Sequence, residues 1–168
     1  MVAAHGFDLQ HFETVHARKL TGPPKIDAPH PFARRNRYTA EVAGDSLFDR
    51  LLRPLAGTQV QISITIWGGT FILITGRFQR ATSQFLIATQ PMDGETTLCE
   101  GIVFSRRGAN PLWRATVQPI ALAVRRLFTR GYLVEELGRL GNPRYNASSL
   151  LACDSEMADY FRWAASLP

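Results

Sequence analysis

Cysteine is scarce in this chain, and its scarcity removes two classes of structure. Only Cys99 and Cys153 occur among 168 residues, and no close spacing relates them. Neither a disulfide framework nor a cysteine-ligated metal site is therefore indicated. Long apolar runs are missing too, since no stretch reaches the roughly 18 residues that a membrane helix needs. The start, "MVAAHGFDLQ", lacks the features of a secretory signal. These absences predict a cytoplasmic protein without a membrane span.

Lysine is almost as rare as cysteine. Lys19 and Lys25 are the only two, so the net charge of +5 depends on arginine. The arginines are scattered, apart from "ARRNR" at 33–37, and no base-stacking motif or recognition helix accompanies them. We therefore expect no nucleic acid as a partner, although arginines gathered on one face could attract an acidic protein.

The composition is that of an ordinary globular protein, with 45% hydrophobic and 20% charged residues. A chain of 168 residues can bury one substantial core, so we expect a single domain over 1–168. Within it, residues 21–35 are predicted to be a proline-rich loop of extended surface chain, because prolines exclude a long helix. The prolines are Pro23, Pro24, Pro29 and Pro31.

An antiparallel sheet is predicted from the middle of the chain. Residues 36–44 read as a strand, and four further segments are rich in β-branched and aromatic residues: 59–67, 70–79, 83–90 and 95–105. Short turns separate these four segments, at Gly68-Gly69, near Arg80 and at Asp93-Gly94. In "QVQISITIW" apolar and polar residues alternate, which is typical of a strand with one buried face.

Helices are predicted on both sides of this sheet region. Asp45 or Ser46 is expected to cap a short helix that ends at Gly57. A long helix is expected over 110–137, with Gly138 and Gly141-Asn142-Pro143 ending it, and a last helix is expected near 149–166. The resulting fold class is α+β, in which a curved sheet and a long helix enclose a cavity.

The segment "HGFDLQHFETVHAR" at 5–18 contains three of the four histidines. Asp8 and His11 are three residues apart and share a helix face. His16 follows five residues after His11, roughly 140° around an ideal helix, so only a wide turn or a break would bring the two imidazoles together. Two histidines with an open position suit zinc, iron or copper.

Asp154 is the candidate for the missing ligand. In "LLACDSEMADYFRW" it falls on the apolar stripe of the last helix, and a buried carboxylate without a partner is costly. A cation would provide the partner. The alternatives are that Asp154 caps a helix starting at Ser155, that Asp8 caps the first helix, and that the histidines are ordinary core or surface residues.

The histidine segment and Asp154 together resemble the iron-binding motif of a known protein family. Asp8, His11 and His16 match the aspartate–histidine–histidine motif in the catalytic domain of Rieske-type non-haem iron oxygenases, and Asp154 resembles the family's downstream aspartate. The resemblance covers essentially the whole chain. It implies a helix-grip fold, related to START and similar domains, and one mononuclear Fe(II) bound by His11, His16 and Asp154. It also implies that Asp8 orients a ligand histidine and links the iron to a Rieske cluster on a neighbouring subunit.

The chain departs from that family in lacking the cysteine and histidine pairs that bind a [2Fe–2S] cluster, so no iron–sulfur cluster is expected here. Three explanations remain for this departure. The chain is a fragment of a longer oxygenase, or a separate Rieske or ferredoxin protein supplies its electrons, or the domain has lost oxygenation. The expected function is hydroxylation of a hydrophobic or aromatic substrate with O₂. The resemblance also implies that the chain forms a homo-oligomer, a trimer. The rivals are a helix-grip protein that binds a hydrophobic ligand without redox chemistry and, more remotely, a zinc hydrolase.

Overall fold

A computed structural model describes residues 2–14, 16, 18–140, 146, 150, 151 and 154–168. A short 3-10 helix at Val2–Phe7 opens the fold. The helices that follow are α1 (Leu9–Thr14), α2 (Leu47–Ala56), α3 (Pro111–Leu140) and α4 (Ser155–Ala165). The strands are β1 (Arg18–Leu20), β2 (Lys25–His30), β3 (Ala33–Val42), β4 (Gln59–Trp67), β5 (Phe71–Phe78), β6 (Thr82–Pro91) and β7 (Thr97–Phe104).

The seven described strands form one open antiparallel sheet. Strands β3 to β7 pair in chain order, and β1 and β2 both pair with β3 at successive positions along it. Alternation along β4 is as predicted, because Val60, Ile64 and Ile66 are buried whereas Gln59 and Gln61 are exposed. The sheet and the long helix that follows it confirm the α+β class.

The turn between β4 and β5 depends on two glycines. Gly68 and Gly69 have φ of 55° and 72°, values that L-residues with a side chain rarely adopt. Two successive positive φ angles are those of the tight hairpin turn whose twist matches that of the flanking strands. The predicted turn at this position is therefore confirmed.

The proline-rich segment 21–35 is not a loop throughout, as the sequence had suggested. Lys25–His30 is the edge strand β2, and β3 already begins at Ala33. Proline is tolerated here because an edge strand leaves one side unpaired, and the register shifts between Asp27 and His30, around Pro29. The expectation of extended chain was right, and the expectation of an unpaired loop was wrong.

The helices agree with the sequence in place but not in every boundary. Ser46 caps α2 by accepting the backbone N–H of Asp49 at 3.1 Å, and Gly57 with φ of 110° ends that helix. Helix α3 continues past Gly138 to Leu140. Helix α4 begins at Ser155 rather than near 149. The stop predicted at 141–143 lies outside the described residues.

The core lies between the sheet and the N- and C-terminal helices. Phe7 stacks on Tyr160 of α4, with ring centroids 5.0 Å apart, and Phe12 packs on Tyr38 of β3. Helix α3 is less buried, since Leu112, Ile120 and Leu127 are each more than 60% exposed. None of the helices in the described ranges is both long and apolar enough to cross a membrane.

Candidate metal centre

Close packing against the sheet fixes the N-terminal segment. A Cβ at Gly6 would lie 2.9 Å from Ile64 Cγ2, so a glycine allows the 3-10 helix to approach β4 this closely. The Gly6 carbonyl accepts a 2.8 Å hydrogen bond from Asn36 Nδ2, and Asn36 is fully buried on β3. The backbone next to His5 is thereby anchored to two strands.

The two ligand histidines predicted from the sequence meet because α1 is short. The helix includes His11 but ends at Thr14, so His16 lies beyond it. The end of α1 between His11 and His16 is the break in the helix that their five-residue spacing requires. The two imidazole centroids are 4.8 Å apart, with planes at 82°.

Glu136 of α3 brings a carboxylate to both rings. Its Oε1 lies 2.8 Å from His11 Nε2 and its Oε2 lies 3.2 Å from His16 Nε2. The three side chains are only 10–12% exposed. One potential ligand atom from each residue lies within 4.8 Å of the other two, which is a spacing that could hold a metal ion.

These distances fit a divalent transition metal. Two ligand atoms at about 2.1 Å from one ion, and at right angles to each other, are about 3.0 Å apart. The separations of 2.8 and 3.2 Å, each to a different oxygen of Glu136, lie on either side of that value. Glu136 Oε2 is buried, and its described polar neighbour is His16 Nε2 at 3.2 Å, a contact that a cation between the two atoms would replace. Without a metal, the carboxylate pairs directly with both imidazoles.

The surroundings favour the ligating forms of the neighbouring side chains. Burial by itself raises the pKa of Glu136, but the contact with His16 and the charge of His11 lower it more, so the pKa lies below its usual value. Burial and the proximity of His11 lower the pKa of His5. Burial and the charge of Glu136 raise the pKa of Tyr132, whose hydroxyl lies 3.2 Å from His16 Nε2. Tyr132 is therefore a neutral phenol at neutral pH.

Asp8 lies beside the cluster that His11, His16 and Glu136 form, and not within it. Its Oδ1 accepts the backbone N–H of His11 at 3.1 Å, which is the contact of a helix N-cap. Asp8, His5 and His11 form a second group with ligand atoms within 4.8 Å of one another. The structure thus shows for Asp8 the capping contact that the sequence had left open as its alternative role, since this hydrogen bond reaches the backbone of His11 and not its ring.

The predicted convergence on Asp154 needs a correction. Asp154 occupies the N-cap position of α4, where its Oδ2 accepts the backbone N–H of Leu151 at 2.9 Å. It belongs to neither group of potential ligands found among the described residues. Because α4 begins at Ser155, Asp154 precedes the helix and does not lie on its apolar stripe. Glu136 has the position that the sequence had given to Asp154.

Glu136 was missed because its role depends on a tertiary contact. A weak signal was present, since Glu136 follows Tyr132 by four residues and therefore lies on the same face of α3. Leu133 on that face packs toward Gly101 of β7, with Cδ1 close to the position a Cβ would take. An acidic residue on the sheet-facing side of the long helix was therefore the better candidate.

Two cavities flank the cluster. A cavity of about 80 Å³ is lined by His5, His11 and Glu136 together with isoleucines of the sheet. A larger cavity of about 390 Å³ opens between the sheet, α2 and α3, and His16 and Tyr132 line it. Its volume is within the range of about 300–1,000 Å³ typical of small-molecule sites. The cluster thus lies where a bound molecule and a metal ion would be neighbours.

The chain was also compared with known proteins. No protein-family model, no curated protein and no solved structure matches it. What the site can do chemically therefore follows from its geometry.

Proposed function

We propose that the chain is the catalytic domain of a Rieske-type non-haem iron oxygenase in which His11, His16 and Glu136 bind one Fe(II). The observation that carries this proposal is the position of Glu136, whose two oxygens lie 2.8 and 3.2 Å from the imidazole Nε2 atoms. Two histidines and one carboxylate, with further positions open, form the ligand set of non-haem Fe(II) oxygenases. The bound iron would supply O₂ activation.

The order of elements supports the same family. The resemblance in the histidine segment implies a helix-grip fold, in which a carboxylate ligand comes from a helix that follows the sheet. Helix α3 follows β7 directly, and Glu136 lies in its second half. A glutamate then replaces the family's aspartate, and the carboxylate is on α3 instead of α4.

The larger cavity supports an apolar substrate. Its walls include Ile62, Ile74 and Phe85 of the sheet and Phe128 of α3, which would exclude water from the reacting molecule. Tyr132 would hold His16 by ring stacking, since the two ring centroids lie 4.7 Å apart. An external Rieske or ferredoxin protein as electron donor, and assembly into a homotrimer, belong to the same proposal.

A second candidate is a helix-grip protein that binds a hydrophobic ligand without redox chemistry. The observation in its favour is that Glu136 can pair with both imidazoles directly, so the cluster is stable without a metal. The cavity would then be the whole functional site. A zinc hydrolase could use the same ligand set, but among the described residues no acidic side chain lines the larger cavity as a general base.

Iron retention in matched carboxylate variants tests the proposal. The chain, purified without an affinity tag, is stripped with chelator and loaded with Fe(II) without oxygen, and iron per chain is measured by mass spectrometry. We expect about one iron per chain in the wild type and in Asp154→Asn, and almost none in Glu136→Gln or His11→Ala. Circular dichroism serves as the folding control.

Each outcome of the iron measurement distinguishes between two interpretations of the site. Full iron content in Glu136→Gln would contradict the ligand set, and loss of iron in Asp154→Asn would restore the residue that the sequence favoured. A wild type that binds no iron would leave the non-redox binding protein as the function.

A further inference from the structure

The larger cavity has mostly apolar walls, and the polar side chains that line it include a small patch near the cluster. Val60, Ile62 and Phe78 line the sheet side. The polar patch consists of His16, Arg18 and Tyr38, which lie on the first segment of the chain, β1 and β3. A mostly apolar pocket with a few polar groups at one end is the usual form of a site that orients an amphipathic small molecule.

Tyr38 has a hydroxyl for which the described part of the protein provides no partner. The residue is only 4% exposed, and no described residue or backbone group forms a hydrogen bond with its hydroxyl. A buried hydroxyl without a partner is costly, and most such groups are paired with protein, water or a ligand. Burial raises the pKa of Tyr38 well above its ordinary value, so the hydroxyl keeps its proton and can donate it.

The charges around the cavity have one sign. Arg18 and Arg125 line it, and no aspartate or glutamate of the described part of the chain does. Arg18 also forms an ion pair with Asp49, in which Nη1 lies 2.8 Å from Oδ1. A guanidinium has five N–H donors, so this pair leaves others for a ligand. Arg125 reaches Ser105 only at 3.4 Å. A negatively charged group is therefore favoured over a neutral or positive one.

We infer that this cavity binds an apolar carboxylic acid, whose carboxylate accepts a hydrogen bond from Tyr38 and lies near Arg18, and whose apolar body packs against β4, β5 and β6. The inference rests on the proposed function in that both place a ligand in this cavity. It names the chemical class of that ligand, and it holds whether or not the neighbouring cluster contains iron.

Binding of two ligands of the same shape tests the charge requirement. Titration calorimetry at neutral pH, on the full chain with chelator present, compares 2-naphthoate with the neutral 2-naphthamide. We expect 2-naphthoate to bind at least about tenfold more tightly, because only the acid carries a charge for the arginines. Chelator removes any metal, so this result does not depend on the iron experiment. Equal affinities, or no binding of either compound, would overturn the inference.

Substitutions test the residues. Tyr38→Phe should weaken 2-naphthoate binding about tenfold, in line with one hydrogen bond to a charged group, and change 2-naphthamide binding less. Tyr160→Phe removes a hydroxyl that does not line this cavity and should leave both affinities unchanged. Arg125→Gln, at a partly exposed position, should weaken the acid and not the amide. Unaltered 2-naphthoate binding in both Tyr38→Phe and Arg125→Gln would show that neither the patch nor Arg125 recognises the carboxylate, and would overturn the inference.

Discussion

At the scale of single residues, Glu136 explains why two histidines are buried near the N-terminus. A carboxylate that is 12% exposed is costly unless a positive partner compensates its charge. His11 and His16 place ring nitrogens 2.8 and 3.2 Å from its oxygens, and a metal ion bound by all three side chains would compensate its charge.

Asp8 allows a capping role to be separated from a role in metal binding. Its contact with the backbone N–H of His11 predicts that Asp8→Asn, which keeps a capping side chain, lowers the free energy of unfolding by less than about 1 kcal/mol. Asp8→Ala should cost about 1 kcal/mol. Iron content should be unchanged in both variants. Urea denaturation and iron per chain are the two measurements.

Glu13 offers the control for Asp8. It lies on the same short helix, and its Oε1 accepts the backbone N–H of Leu20, so Glu13→Gln changes charge nearby without touching the cap. If Asp8→Asn loses iron and Glu13→Gln does not, Asp8 acts electrostatically on His11, as the family resemblance implies, and capping alone is not its role.

The sequence predicted the part of the site that is local. Asp8, His11 and His16 lie within nine residues, so their spacing alone indicated a shared face and a break in the helix. Glu136 is separated from His11 by 125 positions, and only the packing of α3 on the sheet brings them together. Asp154 was chosen on helical periodicity, which assumes that the helix already includes it.

At the scale of elements, alternation was sufficient for the sheet. Each of the strands β4 to β7 begins and ends within two residues of its predicted bounds, because one face is buried and the turns are short. The sequence did not predict β2 because proline lacks the backbone N–H that a strand donates. The missing donor excludes a strand only where both of its edges are hydrogen-bonded to neighbouring strands. The sequence could not show that this segment lies at an edge.

An ion-pair network holds β2 to β3. Asp27 accepts two hydrogen bonds from Arg35, at 2.8 and 2.6 Å, and one from Arg37 at 2.9 Å. Asp27→Asn should lower the free energy of unfolding by less than about 1 kcal/mol, because the carboxylate is more than a third exposed and solvent screens the pair. Chemical denaturation at pH 7 measures this difference.

The same variant has a defined pH dependence. The hydrogen bond from Arg35 holds the pKa of Asp27 below its usual value, so the folded state has the lower pKa. The stabilisation is therefore complete above the unfolded pKa of about 3.9 and is lost as the pH falls through the folded pKa. The wild type and Asp27→Asn should differ at pH 7 and converge once the pH falls below the folded pKa of Asp27. A difference that persists at low pH would show that the amide disturbs the strand itself.

At the scale of the whole molecule, the cluster joins two parts of the fold that are otherwise weakly connected. His11 and His16 belong to the N-terminal segment, which is anchored on the sheet through Gly6 and Asn36. Glu136 belongs to α3, whose apolar residues are largely exposed. A metal ion bound by all three would fasten the long helix across the sheet and close one wall of the larger cavity.

Metal binding should therefore stabilise the molecule and α3 most of all. At an Fe(II) concentration of 100 times the dissociation constant, binding to the folded state alone adds about 2.7 kcal/mol to the free energy of unfolding. We expect Tm to rise under anaerobic conditions, and backbone amides of 127–136 to exchange hydrogen more slowly than before, whereas amides of β4 and β5 change little. Asp154→Asn should respond like the wild type and Glu136→Gln not at all. Protection that spreads evenly over all elements, or persists in Glu136→Gln, would place the metal elsewhere and leave α3 held by its packing alone.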